Sequence, residues 1–209
     1  MESFVGHYTI YQGNSLEIMA SMVAESVDCV ITDPPYRGFE FSGSVSEYWN
    51  AFIPYYEQMR RLCKGPVKRL AISQPVRRHE YIRRKLPPTS ILTIDDGFAD
   101  RRGTSVYFLL INPLTEQPPP AENWQDTIVP ASNHPNDRGI NQMAIAVKAM
   151  TGEGDTVLDP FCGSGAIGVA CLLLRRKYIG IELIKRRAED ARARLAAVRL
   201  TNRPTNRSS

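Results

Sequence analysis

The chain has 209 residues, 43% of them hydrophobic and 23% charged, a composition that predicts a globular protein with one domain. A chain of this size buries roughly 70% of its unfolded surface on folding, so neither disulfides nor a structural metal are needed to hold it together. The 26 Lys and Arg residues against 22 Asp and Glu leave a net charge of +4, which permits a polyanionic partner without requiring one.

The cysteines and the apolar stretches indicate the compartment. The four cysteines form no C-x-x-C pair and lie in apolar or Gly-rich stretches, which predicts reduced thiols in a cytoplasmic protein. The longest apolar stretch, residues 166–174, is too short to span a bilayer, and the N-terminal sequence lacks the charged-then-apolar pattern of a signal peptide. We therefore expect neither a membrane-spanning nor a secreted protein.

Short β-branched or aromatic runs alternate with amphipathic stretches, which is typical of a parallel sheet covered by helices on both faces. In chain order the predicted elements are strand 7–11, helix 15–22, strand 27–32, helix 45–62, strand 68–73, helix 76–86, strands 91–94 and 105–112, helix 140–150, strand 156–159, helix 165–175, strand 178–182 and helix 184–200. Pro54 is expected to kink or divide the second helix. The two consecutive strands are expected to form an antiparallel edge.

The remaining segments show little periodicity. Residues 113–133 include the run Pro118-Pro119-Pro120, so we predict an irregular loop or a small insertion there. We assign residues 1–200 to a single domain and residues 201–209 to a disordered tail.

The strongest local signal is the sequence VLDPFCGSG at residues 157–165, where a strand runs into two glycines and then directly into a helix. Gly163 and Gly165 let the backbone approach a ligand, and the helix N-terminus offers unpaired N–H groups. A second strand ends in Glu182, at the position where such folds hold ribose hydroxyls. The combination predicts a site for a nucleoside-bearing cofactor.

Two other interpretations of this turn fit less well. A turn that binds nothing leaves the paired acid Glu182 without a role. A nicotinamide site needs a third glycine, which Gly168 supplies, but Asp159-Pro160-Phe161 is not the usual strand end of a dehydrogenase. Asp159 also needs a partner, and a cationic or amino-acid ligand tail would provide one.

A second signal is Asp33-Pro34-Pro35-Tyr36, which follows the apolar strand 27–32. The carboxyl ends of central strands face the ligand crevice in open α/β sheets, so we expect this tetrapeptide to share the crevice with the glycine turn. Asp33 can only accept hydrogen bonds, the Pro34 carbonyl is free to accept, and Tyr36 offers a ring for stacking. Two acceptors beside an aromatic ring suit an amino group on a planar ring. The alternative is a strand-terminating turn with a packed tyrosine.

With both motifs present, the chain resembles the S-adenosylmethionine-dependent DNA amino-methyltransferases of the β class, in which a catalytic DPPY precedes a cofactor-binding F-x-G-x-G. The resemblance also covers the opening stretch 8–36, the HPNDRG element at 134–139 and the closing strand KYIGIEL at 177–183. It implies a Rossmann-like methyltransferase fold with a mostly parallel seven-stranded sheet, an antiparallel edge and a circularly permuted motif order.

The resemblance implies S-adenosyl-L-methionine as methyl donor, no metal, and double-stranded DNA as substrate. The implied catalytic residues are Asp33, Pro34, Pro35 and Tyr36. The implied cofactor-binding residues are Asn14, Asp33, Arg138, Asp159, Phe161, Gly163, Gly165 and Glu182. Asp159 would lie near the cofactor's amino group, Glu182 at the ribose hydroxyls and Asn14 at the adenine. The chain departs from the family at Asn14, commonly aspartate, and at Arg138 and Gly139, which replace lysine and proline of H-P-x-x-K-P.

The activity implied is methylation of adenine N6 after base flipping. Cytosine N4 methylation and a non-catalytic nucleic-acid-binding relic are the alternatives. Basic clusters in 76–86, 101–102 and 185–194 are candidates for phosphate contacts. Residues 113–133 are too few for an independent recognition domain, so we expect a short or relaxed target sequence, or recognition shared across a homodimer.

Overall fold

The computed structural model describes residues 7–35, 45–74, 90–94, 106–111 and 138–201. The predicted basic helix 76–86, the insertion 113–133 and the tail beyond residue 201 lie outside these ranges. None of the described helices is both long and apolar enough to cross a membrane.

Strands and helices alternate through most of the described chain. The strands are β1 (Tyr8–Gln12), β2 (Cys29–Thr32), β3 (Leu70–Gln74), β4 (Ser90–Ile94), β5 (Val106–Ile111), β6 (Thr156–Asp159) and β7 (Lys177–Glu182). The helices are α1 (Ser15–Ser21), α2 (Val45–Leu62), α3 (Arg138–Met150), α4 (Ala166–Leu173) and α5 (Lys185–Thr201). Each corresponds to a predicted element: α2 and β6 have the predicted bounds, and the others have one or both ends shifted by one or two residues.

The strands form one sheet in the order β1-β7-β6-β2-β3-β5-β4. The five strands from β1 to β3 in this order run parallel, whereas β5 is antiparallel to both β3 and β4. Parallel neighbours require crossover connections, and the intervening helices cover the two faces of the sheet. The predicted α/β class is confirmed.

Strand β2 shows how the sheet builds two cores. All four of its residues are buried. Successive side chains point to opposite faces, so Cys29 and Ile31 pack with α3, α4 and α5, while Val30 packs with α1 and α2. Burial on both faces explains the apolar run that ends in β2. The strand order places the end of β2 in the middle of the sheet.

Two predicted elements differ in detail. The strand predicted from Val27 begins at Cys29, because Val27 instead pairs with the end of α2: its N–H donates to the Leu62 carbonyl at 3.1 Å. Helix α2 continues through Pro54, so the alternative that Pro54 divides it is wrong. Pro54 lies on the exposed side, and the buried side chains of α2 pack on the sheet, which offsets the lost backbone hydrogen bond.

Candidate active site

Four neighbouring parallel strands end on the residues predicted to form the site. β2 runs into Asp33, β6 ends at Asp159, β7 ends at Glu182, and β1 leads through Gly13 to Asn14. Because β1, β7, β6 and β2 are adjacent in the sheet and parallel, these residues meet at one edge.

A cleft of about 530 Å³ opens along this edge. The predicted residues that line it are Asn14, Asp33, Pro34, Pro35, Asp159, Phe161, Gly163 and Glu182. We call residues 33–35 the acidic corner and residues 161–165 the glycine turn. The two segments face the same space although they lie at opposite ends of the chain, as the two motifs require if they act together.

Of the other predicted residues, Gly165 is described and does not line the cleft. Gly165 has a left-handed backbone with a φ of 82° and precedes α4, and a Cβ there would lie 3.2 Å from the Ala191 Cβ, so it allows close packing of the turn against α5. Tyr36 lies outside the described residues. Arg138 begins α3, and its side chain lies outside the described part of the structure.

The carboxylate of Glu182 organises the glycine turn. Its Oε2 accepts a hydrogen bond from the Gly163 N–H at 2.9 Å, and its Oε1 accepts from the Ile184 N–H at 2.8 Å. The residue is only 7% exposed, so its orientation is well restrained. Each carboxylate oxygen can accept a further hydrogen bond, and Glu182 therefore presents fixed acceptors to the cleft.

Asp159 joins three adjacent strands from a buried position. Its Oδ1 accepts from the Thr32 hydroxyl at 2.7 Å and the Phe161 N–H at 3.2 Å, and its Oδ2 accepts from the Tyr178 hydroxyl at 3.0 Å. Burial raises the pKa of Asp159 to about 7 against the effect of these hydrogen bonds, and the nearby Asp33 raises it further. The sequence suggested that a ligand would supply the partner of Asp159. The protein supplies part of that partner itself, through these three hydrogen bonds.

Asn14 has a structural role as well as a place on the cleft. Its Oδ1 accepts from the Leu16 N–H at 2.9 Å and caps the N-terminus of α1. With the oxygen engaged in the cap, the amide NH₂ is the group that Asn14 adds to the site. An aspartate could make the same cap but could not donate, which is the chemical difference that this position introduces.

An aromatic wall on α2 was not predicted as part of the site. Tyr48, Phe52 and Tyr55 line the cleft together with Phe161 of the glycine turn. The ring centroids of Tyr55 and Phe161 are 5.4 Å apart, and those of Phe52 and Phe161 are 6.4 Å apart. The spacing of three aromatic residues on one face of the predicted helix was the available signal, since positions four and seven residues apart share a face.

Comparisons with known proteins agree with this geometry. A family model described as DNA methylase matches residues 99–193. The candidate methylase YubD of Escherichia coli (strain K12) is 27% identical in an alignment 207 residues long. The alignment covers 90% of this chain and 89% of YubD.

Solved structures show the same fold. The candidate DNA modification methylase TTHA0409 from Thermus thermophilus, complexed with S-adenosyl-L-methionine, superposes with a TM-score of 0.63 at 23% identity, covering 92% of this chain and 95% of that one. The PvuII DNA methyltransferase, which is cytosine-N4-specific, superposes with a TM-score of 0.59 at 16% identity. The superposition covers 98% of this chain and 89% of the PvuII methyltransferase chain.

The fold is therefore that of an α/β methyltransferase. The family-model match includes the glycine turn and Glu182, and the relationship to YubD extends over most of the chain. The resemblance to S-adenosylmethionine-dependent DNA amino-methyltransferases that the two motifs predicted is confirmed by the family-model match and by the relationship to YubD.

Proposed function

We propose that this protein transfers a methyl group from S-adenosyl-L-methionine to the exocyclic N6 amino group of adenine in double-stranded DNA. The observation that carries the proposal is the shared cleft: the acidic corner and the glycine turn follow strands of the same parallel sheet and line one space. A methyl donor held at the turn and an amine held at the corner would meet there. A sulfonium methyl group is already activated, so this reaction needs no covalent enzyme intermediate.

The residues around the glycine turn are suited to the cofactor. Glu182 has acceptors left for ribose hydroxyls, and the Asn14 amide can donate to a ring nitrogen of adenine. No atom of the described residues lies within 4 Å of the place where a Cβ of Gly163 would project, which favours close approach of a ligand to the backbone. When bound, S-adenosyl-L-methionine supplies an electrophilic methyl group on a sulfonium.

Further cofactor contacts are proposed for three residues. Asp159 lines the cleft, and lone pairs not used by Thr32 and Tyr178 could accept from an amino group. Phe161, whose ring contacts the aromatic wall, would pack against the bound molecule from the same side as that wall. The role of Arg138 rests on the family resemblance alone.

The acidic corner would prepare the amine for attack. The Asp33 carboxylate and the Pro34 carbonyl would each accept an N–H of the target amino group, since a proline offers no competing N–H. The nitrogen then shifts towards tetrahedral geometry, and its lone pair is withdrawn from conjugation with the ring. The nitrogen would displace the neutral thioether from the methyl carbon, and the methylated nitrogen would lose one proton to the Asp33 carboxylate or to solvent. The protein would contribute chiefly by holding both reactants in line.

A base within a duplex cannot reach this cleft, so the target must be flipped out of the helix. The aromatic wall and Tyr36 would provide stacking surfaces for the flipped base. Flipping costs on the order of a few kcal/mol, which contacts with phosphates would offset. The exposed cations Lys185, Arg186 and Arg187 in the first turn of α5 are candidates, and Arg187 itself lines the cleft.

The test uses cofactor labelled in its methyl group, incubated with the protein and duplex DNA that is then digested to nucleosides. We expect the label in N6-methyldeoxyadenosine. Cytosine N4 methylation is the second candidate, because that nitrogen is also an exocyclic amine that two acceptors can hold. Label in N4-methyldeoxycytidine alone would contradict the adenine assignment and establish this alternative.

A non-catalytic relic is distinguished by binding. Calorimetry with S-adenosyl-L-methionine is expected to give a saturable heat signal with one site per chain. Absence of both binding and labelled product would support the relic and overturn the proposed activity. The intact Asp33, Gly163 and Glu182 in one cleft are the observations that argue for an enzyme.

The organisation of the chain is proposed as follows. The acidic corner precedes the glycine turn in sequence, which supports the circularly permuted motif order of the β class. The antiparallel pairing of β4 and β5 beyond β3 supports a seven-stranded sheet with an antiparallel edge. We propose that residues 1–200 form one domain acting on DNA in the cytoplasm, with a short target sequence or recognition shared across a homodimer.

A further inference from the structure

We infer that Tyr48 is a positioning residue that holds the acidic corner in place relative to the glycine turn. The inference rests on the proposed methyl transfer and adds to it a residue that belongs to neither motif. Tyr48 lies in the first turn of α2, is 3% exposed, and donates its hydroxyl to the Pro35 carbonyl at 3.0 Å.

The acidic corner can donate few backbone hydrogen bonds, because two of its three residues are prolines. On its entry side, Thr32 is tied into the sheet through its hydroxyl bond to Asp159. On its exit side, Pro34 and Pro35 have no N–H to donate. The bond from Tyr48 is therefore well suited to restrain the end of the corner, by linking it to a helix that packs on the sheet.

The same bond distinguishes the two proline carbonyls. The Pro35 carbonyl accepts from the Tyr48 hydroxyl, and so the Pro34 carbonyl is the one better placed to serve the substrate amine. The ring of Pro35 fixes its φ angle, so only the ψ angle of Pro35 separates the restrained carbonyl from the peptide that carries the Pro34 oxygen. Fixing one carbonyl thereby restricts the direction of the other.

Tyr48 also connects the corner to the glycine turn across the cleft. Its ring stacks on Phe52 with centroids 6.2 Å apart and planes 9° from parallel. Phe52 in turn stacks on Phe161, with centroids 6.4 Å apart and an interplanar angle of 28°. These contacts link Pro35 to the glycine turn through α2, in addition to the link through the sheet, and so help to fix the separation of the two segments.

The first test compares Tyr48→Phe with Tyr56→Phe. Tyr56 lies on the same helix and is 8% exposed, and its buried hydroxyl has no hydrogen-bond partner within the described structure, so it is a matched control. For Tyr48→Phe we expect kcat to fall by about 10- to 100-fold, because misplacement of a positioned group costs rate. KM and Kd for S-adenosyl-L-methionine should stay within about two-fold of the wild type, since the ring stack is retained. Equal kcat in the two variants would overturn the inference.

A second measurement needs neither substrate nor cofactor. Amide hydrogen exchange in the peptide spanning residues 29–37, followed by mass spectrometry, is expected to be faster in Tyr48→Phe than in Tyr56→Phe. Equal exchange in the two variants would count against the positioning role. If the wild type fails to methylate DNA but the exchange difference is found, the proposed function fails and the structural role of Tyr48 stands.

Discussion

The glycine turn and the acidic corner face the same cleft but are stabilised in different ways. In the turn, the N–H groups of Cys162, Gly163 and Gly165 all donate within 2.9 Å to partners in the turn or in β7. In the corner, two of the three residues are prolines, and support comes from the hydroxyls of Thr32 and Tyr48.

This difference explains why the local sequence specifies the geometry of the glycine turn more fully than that of the acidic corner. The turn is held largely by its own backbone and by the acid of the next strand, so its sequence specifies most of its geometry. The corner has a short sequence with the right chemistry, but its position depends on residues elsewhere in the chain. We expect substitutions around the corner to affect rate and those around the turn to affect binding or stability.

The largest expected effect comes from Asp33→Ala. Loss of the carboxylate removes an acceptor for the target amine, and we expect kcat to fall by about 10²- to 10⁴-fold. Cofactor binding measured by calorimetry should be preserved, because the turn is unchanged. Asp190→Ala, an exposed change on α5, is the control and should leave both values unaltered. Full activity in Asp33→Ala would remove the proposed mechanism.

Glu182→Gln tests the turn. The amide cannot accept from both the Gly163 and Ile184 N–H groups, and it loses the charge. We expect Kd for S-adenosyl-L-methionine to rise by about 10- to 100-fold, as for loss of a hydrogen bond to a charged group. Glu189→Gln, at an exposed position of α5, is the matched control. An unchanged Kd in Glu182→Gln would mean that this carboxylate does not bind the cofactor.

Gly168→Ala tests how tightly α4 packs behind the turn. An added Cβ would lie 2.6 Å from a ring carbon of Tyr178, whose hydroxyl holds Asp159. We expect the free energy of unfolding in urea to fall by about 1–3 kcal/mol from overpacking. In Gly152→Ala the nearest atom, the Asp155 Oδ2, is 4.0 Å away, and the change should be within about 0.5 kcal/mol. Similar losses in both variants would contradict the packing argument.

The last expected effect is a change in the pH dependence of stability. The pKa of Asp159 is raised from 3.8 to about 7, mainly by burial, so the folded protein retains a proton that the unfolded chain loses at lower pH. The free energy of unfolding should therefore decrease as the pH rises from about 4 to about 7, and this contribution should level off above pH 7.

The variant Asp159→Asn removes this titration. Urea unfolding at several pH values between 5 and 8 should give a shallower decline below pH 7 for Asp159→Asn than for the wild type. Parallel curves would show that Asp159 does not titrate in this range. The comparison uses the slope alone, because the substitution also changes the hydrogen bonds with Thr32 and Tyr178.

Local patterns in the sequence were sufficient to predict the types of the described elements and to locate both motifs. The apolar run before Asp33 predicted a central strand, and β2 is buried on both faces. The step from strand to glycines to helix predicted the turn, and Glu182 was identified from its place at the end of the next strand. Such signals are short-range, since periodicity and turn chemistry act over a few residues.

Only the tertiary structure decided which residues support these motifs. Thr32 and Asp159 are 127 positions apart, and Tyr48 reaches back 13 positions to Pro35. Helix α2 continues through Pro54 because packing on the sheet outweighs a local preference. Gly168, which the sequence offered as part of a cofactor fingerprint, serves instead to let α4 approach the ring of Tyr178. Contacts of this kind depend on how the strands are ordered in the sheet, and no local pattern of residues encodes that order.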